Sequence, residues 1–305
     1  MSKYYPDCYI PDALQKIATA QPPIPNSPSE PSRPISPEKP NWVTPITVGI
    51  ISLIVSFVFL NKIPVVAPII ALFFTFGTRF LTFQNYKKEL SIFRDREREY
   101  PKQVGNYQYL RDKYNQDVEK LRSPEQIKKH REVLLSKFCE TIHQPNTDGD
   151  ARQGKYDQRL WREMQKHLEG NSILKTYLNI PDYDYPYSPD ICYIIDGIYF
   201  DIEIDEPYYK DGQGNVFPCH GYDDYKDDSR NEFFLERNWI VIRFAEEQVA
   251  RNIKGCCKEI AKKVNELTGR PIPSSLNNVD DLIIIPRWTR WEGTDMGSNH
   301  YRDTY

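Results

Sequence analysis

Asp196-Gly197 stands between two runs of alternating character, "DICYII" (190–195) and "IYFDIEID" (198–205). Asp-Gly is the dipeptide that a two-residue hairpin turn demands, because both central residues of such a turn take positive φ. With 196 and 197 in the turn, the register follows by counting: Ile195 faces Ile198, Cys192 faces Asp201, Asp190 faces Glu203 and Ser188 faces Asp205. Alternate side chains of a strand share a face. One face is therefore Ile191, Tyr193, Ile195, Ile198, Phe200, Ile202 and Ile204, a core face, and the other carries Asp190, Cys192, Ile194, Tyr199, Asp201, Glu203 and Asp205. Opposed like charges destabilise a hairpin unless something positive lies between them. A hard cation such as Mg²⁺ would compensate them, and so would Lys or Arg side chains from loops; the pattern is compatible with both.

The elements around this hairpin alternate. A helix is predicted around Tyr156 to Leu168, a charged helix near Asp228 to Arg237, a strand at Trp239 to Phe244 and a helix from Glu246 to Leu267, the signature of an α/β domain. "TRWE" (289–292) reads as a capping box opening a last helix that Gly293 and Gly297 weaken. Residues 145–154, "PNTDGDARQG", are dense in turn formers and predict a linker, which places this domain at 155–305.

Upstream, residues 1–41 read as a disordered, Pro-rich N-terminal segment, from the repeated proline, serine and charge of residues 21–40. Trp42 to Leu60 holds no charge, and after Asn61 and Lys62 the apolar run resumes from Ile63 to Thr78, or to Phe83 across Arg79. These lengths predict a two-span transmembrane hairpin over 42–83 in contact with the lipid bilayer. Basic residues crowd its exit, which predicts an inner (cytoplasmic) membrane location with both termini in the cytoplasm. Residues 84–144 read as a charged helical stalk broken at Pro101 and restarted at Ser123-Pro124-Glu125. Its stripe of Tyr107, Leu110, Tyr114, Val118 and Leu121 could make a homo-oligomer through 84–142. The formal net charge of −3 gives no whole-chain reason to expect nucleic acid or acidic membranes as partners. The six cysteines show no CxxC spacing and read as reduced thiols.

"PD" at 189–190, the hairpin, "IEID" at 202–205 and "RNEFFLERNWIVIRFAEEQV" (230–249) together resemble the PD-(D/E)XK nuclease superfamily, within it the branch of the very-short-patch-repair endonuclease. The resemblance covers about 155–267. It implies a restriction-endonuclease-like mixed sheet flanked by helices in the order αβββαβ, and a metal, Mg²⁺ or Mn²⁺, held by Asp190 and Glu203. Asp205 occupies the position where the commonest family form has lysine, so its role is either metal ligand or orienter of the attacking water. His220 resembles a histidine that follows the acidic strand in relatives, and would activate water or protonate the leaving oxygen. Asp157 stands where a helix carboxylate supports the site, with Glu163 as its rival. Lys210 and Lys226 are weaker candidates for a displaced base, Arg230 for a phosphate contact or an ion pair with Asp227 or Asp228, and Arg243 for the acid cluster or DNA.

The function expected from this reading is a membrane-tethered, metal-dependent nuclease that hydrolyses DNA phosphodiester bonds. The alternative is a catalytically silent interaction or scaffold protein that keeps the nuclease fold.

Overall fold

The computed structural model describes residues 3–41, 46–47, 50–51, 54–55, 66–149, 153–181 and 183–305. They form two units, one made of Met1–Pro22 with Ser123–Tyr305, the other of Pro23–Arg122.

The first unit is built on a five-stranded mixed sheet. Strands β2 (Asp7–Tyr9), β3 (Asn171–Ile173), β4 (Ile191–Ile195), β5 (Ile198–Asp205) and β8 (Ile240–Ala245) lie in the order β2-β8-β5-β4-β3. β5 and β8 are parallel and every other pair is antiparallel. The β4–β5 hairpin has the register counted from its turn, Ile195 on Ile198 through Ile191 on Ile202. Asp196 and Gly197 supply the two positive φ values, 50° and 81°. Two short ladders stand apart, β1 (Tyr4–Tyr5) on β9 (Ile285–Pro286) and β6 (Tyr208–Lys210) on β7 (Val216–Pro218).

Helices α1 (Asp12–Thr19), α3 (Pro124–Cys139), α4 (Asp157–His167), α5 (Tyr225–Glu236), α6 (Glu246–Arg251), α7 (Ile253–Thr268) and α8 (Arg290–Ser298) complete this unit. From α4 onward the order is αβββαβ, with the β6–β7 ladder inserted before α5. The isoleucine-rich face of the hairpin is core, and Tyr193 and Ile195 line one cavity with Ala261 and Val264 of α7. The acidic face is buried as well, under α5. The single helix predicted over 246–267 is split at Asn252, whose φ of −145° leaves the helical region and whose side chain caps the N–H of Gly255.

Three sequence expectations are corrected here. The N-terminal 41 residues are not disordered throughout: Tyr4–Thr19 form β1, β2 and α1, with Tyr5 and Leu14 fully buried, because two- and three-residue strands are too short for periodicity to reveal. The stalk of 84–144 divides at Arg122, and the boundary placed at 145–154 lies inside the first unit, where Asn146 pairs with Tyr177. Its second helix, α3, belongs to that unit and is capped by Ser123 Oγ, which accepts from Gln126 N at 3.4 Å. The remainder is part of α2 (Val66–Leu121), a continuous helix of 56 residues that accommodates Pro101.

The two-span membrane hairpin is the third correction. Among the described residues no helix is long and apolar enough to cross a membrane. Most of the first span, 42–60, lies outside the described residues. Over the second, α2 places Arg79 after only the thirteen residues 66–78, where a span needs about 20. The inner-membrane localisation rested on that hairpin and is withdrawn with it.

Thr289 and Glu292 form the expected capping box of α8. Its glycines serve packing: a Cβ on Gly297 would lie 2.2 Å from Val216 Cγ1, and one on Gly293 would lie 2.7 Å from Pro207 O. Gly297→Ala should therefore lower the unfolding free energy by about 1–2 kcal/mol in a urea titration despite alanine's better helix propensity. Gly212→Ala, which meets open space, serves as the neutral control.

Candidate functional site

β5 ends with Asp201, Glu203 and Asp205 on one face, and the parallel neighbour β8 sets Arg243 beside Glu203. Asp201 and Asp205 have no exposed surface, and Glu203 has 4%. Buried carboxylates need partners, and these fall into two adjoining groups.

In the first group, Asp190 lies where β4 begins. Its backbone N–H donates to Glu203 Oε1 at 3.2 Å, and its own Oδ2 accepts from Ile204 N at 2.8 Å. Asp157, at the start of α4, accepts from Gly154 N at 2.6 Å. Burial pushes its carboxyl up to about 6, with Glu206 and Glu203 adding repulsion. Burial and the charge of Glu203 likewise hold Asp190 and Asp201 well above the carboxylate range. Asp201 receives no hydrogen bond at either oxygen.

Two of these carboxyl groups, Glu203 and Asp201, meet the guanidinium of Arg230 on α5. Arg230 Nη2 donates to Glu203 Oε1 at 2.5 Å and to Ser188 O at 2.9 Å, and lies 3.5 Å from Asp201 Oδ1. The rings of Tyr187 and Phe234 flank it, with centroids 5.6 and 5.3 Å away.

The second group is balanced. Arg243, fully buried, donates from Nε to Asp205 Oδ2 at 2.8 Å, from Nη2 to Asp205 Oδ1 at 2.7 Å and from Nη1 to Asn231 Oδ1 at 3.0 Å, and Nη2 lies 3.1 Å from Asp227 Oδ1. Tyr5 Oη donates to Asp205 Oδ2 at 2.9 Å. His220 Nδ1 lies 3.4 Å from Asp205 and 3.3 Å from Asp227. Although burial works against the charged ring, these two carboxylates raise its pKa to about 9. The charged partners Arg243 and His220 offset the burial of Asp205 and Asp227 and hold both below the ordinary range.

The structure brings together Asp157, Asp190, Glu203 and Arg230 as one cluster, and Asp205, His220 and Arg243 as its neighbour. Both oxygens of Asp205 accept from Arg243, and Oδ2 accepts from Tyr5 as well. Arg243 has no exposure and so no reach to DNA. Arg230 pairs with Glu203 and Asp201, not with Asp227 or Asp228. Glu163 pairs with Lys166 and His167 on the far turns of α4, Lys210 meets His300, and Lys226 is exposed in the first turn of α5. Sequence reasoning passed over Tyr5 and Asn231, and named Asp227 only as a partner for Arg230 rather than for Arg243 and His220. Asp201 carried a signal, its place on the same alternating face as Glu203.

The donor chemistry fits a hard divalent cation, since Asp157, Asp190 and Glu203 offer only oxygen. Among the described residues no group of three or more His, Cys, Asp or Glu side chains is arranged to hold a metal ion. Mg²⁺ is commonly held by one or two carboxylates with its remaining positions filled by water. The pair Asp190 and Glu203 meets that smaller requirement. Comparison with protein-family models, with curated proteins and with solved structures finds no match for this chain.

Proposed function

We propose that the first unit is a metal-dependent phosphodiesterase domain that acts on DNA. The observation that carries the reading is the excess of acid at the start of β4 and the end of β5: Asp190, Asp201 and Glu203 lie together with Asp157 near enough to be repelled by Glu203, while Arg230 pairs with two of them, Glu203 and Asp201. Asp157, Asp190 and Asp201, held above their ordinary pKa by burial and then by neighbouring charge, make a site that an added positive charge stabilises. The resemblance of the "PD…IEID" pattern to PD-(D/E)XK nucleases supports the same assignment.

Asp190 and Glu203 would hold Mg²⁺ or Mn²⁺, with Asp157 supporting. The bound ion would supply Lewis-acid polarisation of the phosphate and a more acidic water. His220 keeps its proton at neutral pH under the charges of Asp205 and Asp227, which suits a proton donor to the leaving oxygen rather than a base. Asp205 and Arg243 fix the strand end against which that imidazole sits.

The test is cleavage of labelled single- and double-stranded DNA by the full chain with Mg²⁺ or Mn²⁺ and with chelator. Cutting that needs metal and falls at least 100-fold in Asp190→Asn and Glu203→Gln is expected. Cutting that survives both substitutions contradicts the assignment. The full chain is required because a cut at residue 150 removes β1, β2, α1 and α3 from the first unit.

The silent-scaffold alternative is favoured by one observation, the pairing of Glu203 with Arg230 and of Asp205 with Arg243, which partners both carboxylates without a metal. Absence of cleavage together with absence of metal binding would select it.

A further inference from the structure

The geometry points to Arg230 as a two-state positioning residue: its guanidinium holds Glu203 while the site lacks metal, and is released to bind a phosphodiester when a divalent cation takes its place. This rests on the metal-dependent reading above.

Three observations support it. Arg230 occupies the position a cation would take, 2.5 Å from Glu203 Oε1 and 3.5 Å from Asp201 Oδ1. It is also more exposed than the two carboxylates it pairs with, its side chain 16% exposed against 5% for Glu203 and none for Asp201. Finally, its Nε is buried without a hydrogen-bond partner. A guanidinium has five N–H donors in a planar fork that matches phosphate, and an unpaired buried donor is a standing cost. A structural arginine selected only to neutralise Glu203 would be expected to satisfy Nε as Arg243 does, with a bond to Asp205. The aromatic faces of Tyr187 and Phe234 give the group a surface to move across without losing contact. Arg230 starts within the second turn of α5, so rotation about its side-chain bonds suffices and no backbone shift is needed.

The exchange predicts opposite shifts in one variant. Without the guanidinium, Arg230→Gln should bind Mg²⁺ more tightly, on the order of tenfold, because nothing competes for Glu203. The same variant should lose the gain in affinity for a short phosphorothioate DNA that Mg²⁺ confers on the wild type, again on the order of tenfold, and Arg230→Lys should keep part of it. The direct measurement is the ¹⁵Nε resonance of Arg230 in the full chain, titrated with Mg²⁺ alone. Movement of that resonance at the metal concentration that saturates binding is the expected result. Saturable Mg²⁺ binding with an unmoved Arg230 resonance overturns the exchange and leaves the metal site standing. No Mg²⁺ binding by either the wild type or Arg230→Gln overturns the metal reading itself, and the exchange with it. Should Arg230→Gln fail to fold, the wild-type resonance still decides.

Discussion

Arg243→Met is expected to cost about 3–5 kcal/mol of folding stability, because it leaves a buried carboxylate without its charge partner. Asp205 loses two hydrogen bonds and keeps only the Tyr5 hydroxyl and the imidazole of His220, while Asp227 loses a guanidinium 3.1 Å away. Urea unfolding monitored by tryptophan fluorescence would read the loss, since Trp239 and Trp288 are buried in this unit. Arg243→Lys should recover little of it: one ammonium cannot reach both oxygens of Asp205 and Asn231 in the same plane. Asp205→Leu with Arg243→Met should recover much of it, since removing both partners leaves no orphaned charge. A double variant as unstable as the single one would show that the network's worth lies in packing.

The second large effect is in alkaline solution. The folded-state pKa of His220 is raised from 6.5 to about 9, so its protonated form is favoured by folding. Its contribution is complete below pH 6.5 and is lost as pH rises through about 9. With the ring 28% exposed, the loss should be about 2–3 kcal/mol across that interval, after allowance for solvent screening. Asp205 and Asp227 act in the opposite range: their lowered pKa values add stability above the ordinary carboxylate range that disappears as pH falls. Asp157 works against them, since a carboxyl raised to about 6 erodes stability as pH climbs from about 4 to 6. Unfolding free energies measured from pH 6 to 8, below the range where the buried thiols of Cys8, Cys192, Cys219 and Cys257 add their own loss, should therefore decline in the wild type and stay nearly level in His220→Gln. An equal decline in both would remove His220 from the network.

How far the sequence disclosed this arrangement varies from residue to residue. The register of β4 on β5 was readable because Asp196-Gly197 fixes the turn and the period of two does the rest, and Asp190 and Glu203 meet at the end of that count. The caps at Ser123 and Thr289 were readable from local chemistry. Arg243 was placed on the right face by alternation, yet its partners come from β5, α5 and a loop, which no local pattern relates. Tyr5 lies 200 residues from Asp205 and in a strand of two residues, so neither period nor spacing could announce it. The apolar residues after 62 were misread because a count of apolar positions ignores where the helix continues, and α2 carries them without a break into the charge-rich stretch that ends at Leu121. The extra burial of the acidic face, which turns opposed carboxylates from a surface feature into a costly one, depends on α5 folding over the sheet.

The central proposal is that Asp190 and Glu203 hold a divalent cation. Calorimetric titration of the full chain with Mg²⁺ and with Mn²⁺ at pH 6, in two buffers of different ionisation enthalpy, addresses it most directly. The Asp157 carboxyl is raised to about 6, and burial together with the charge of Glu203 raises Asp190 and Asp201 well above the ordinary carboxylate range. Binding should therefore release protons, and both the heat and the proton release should vanish in Asp190→Asn. No saturable binding of either ion, with the three carboxyls titrating as before, would contradict the claim and leave Arg230 as the cluster's permanent cation.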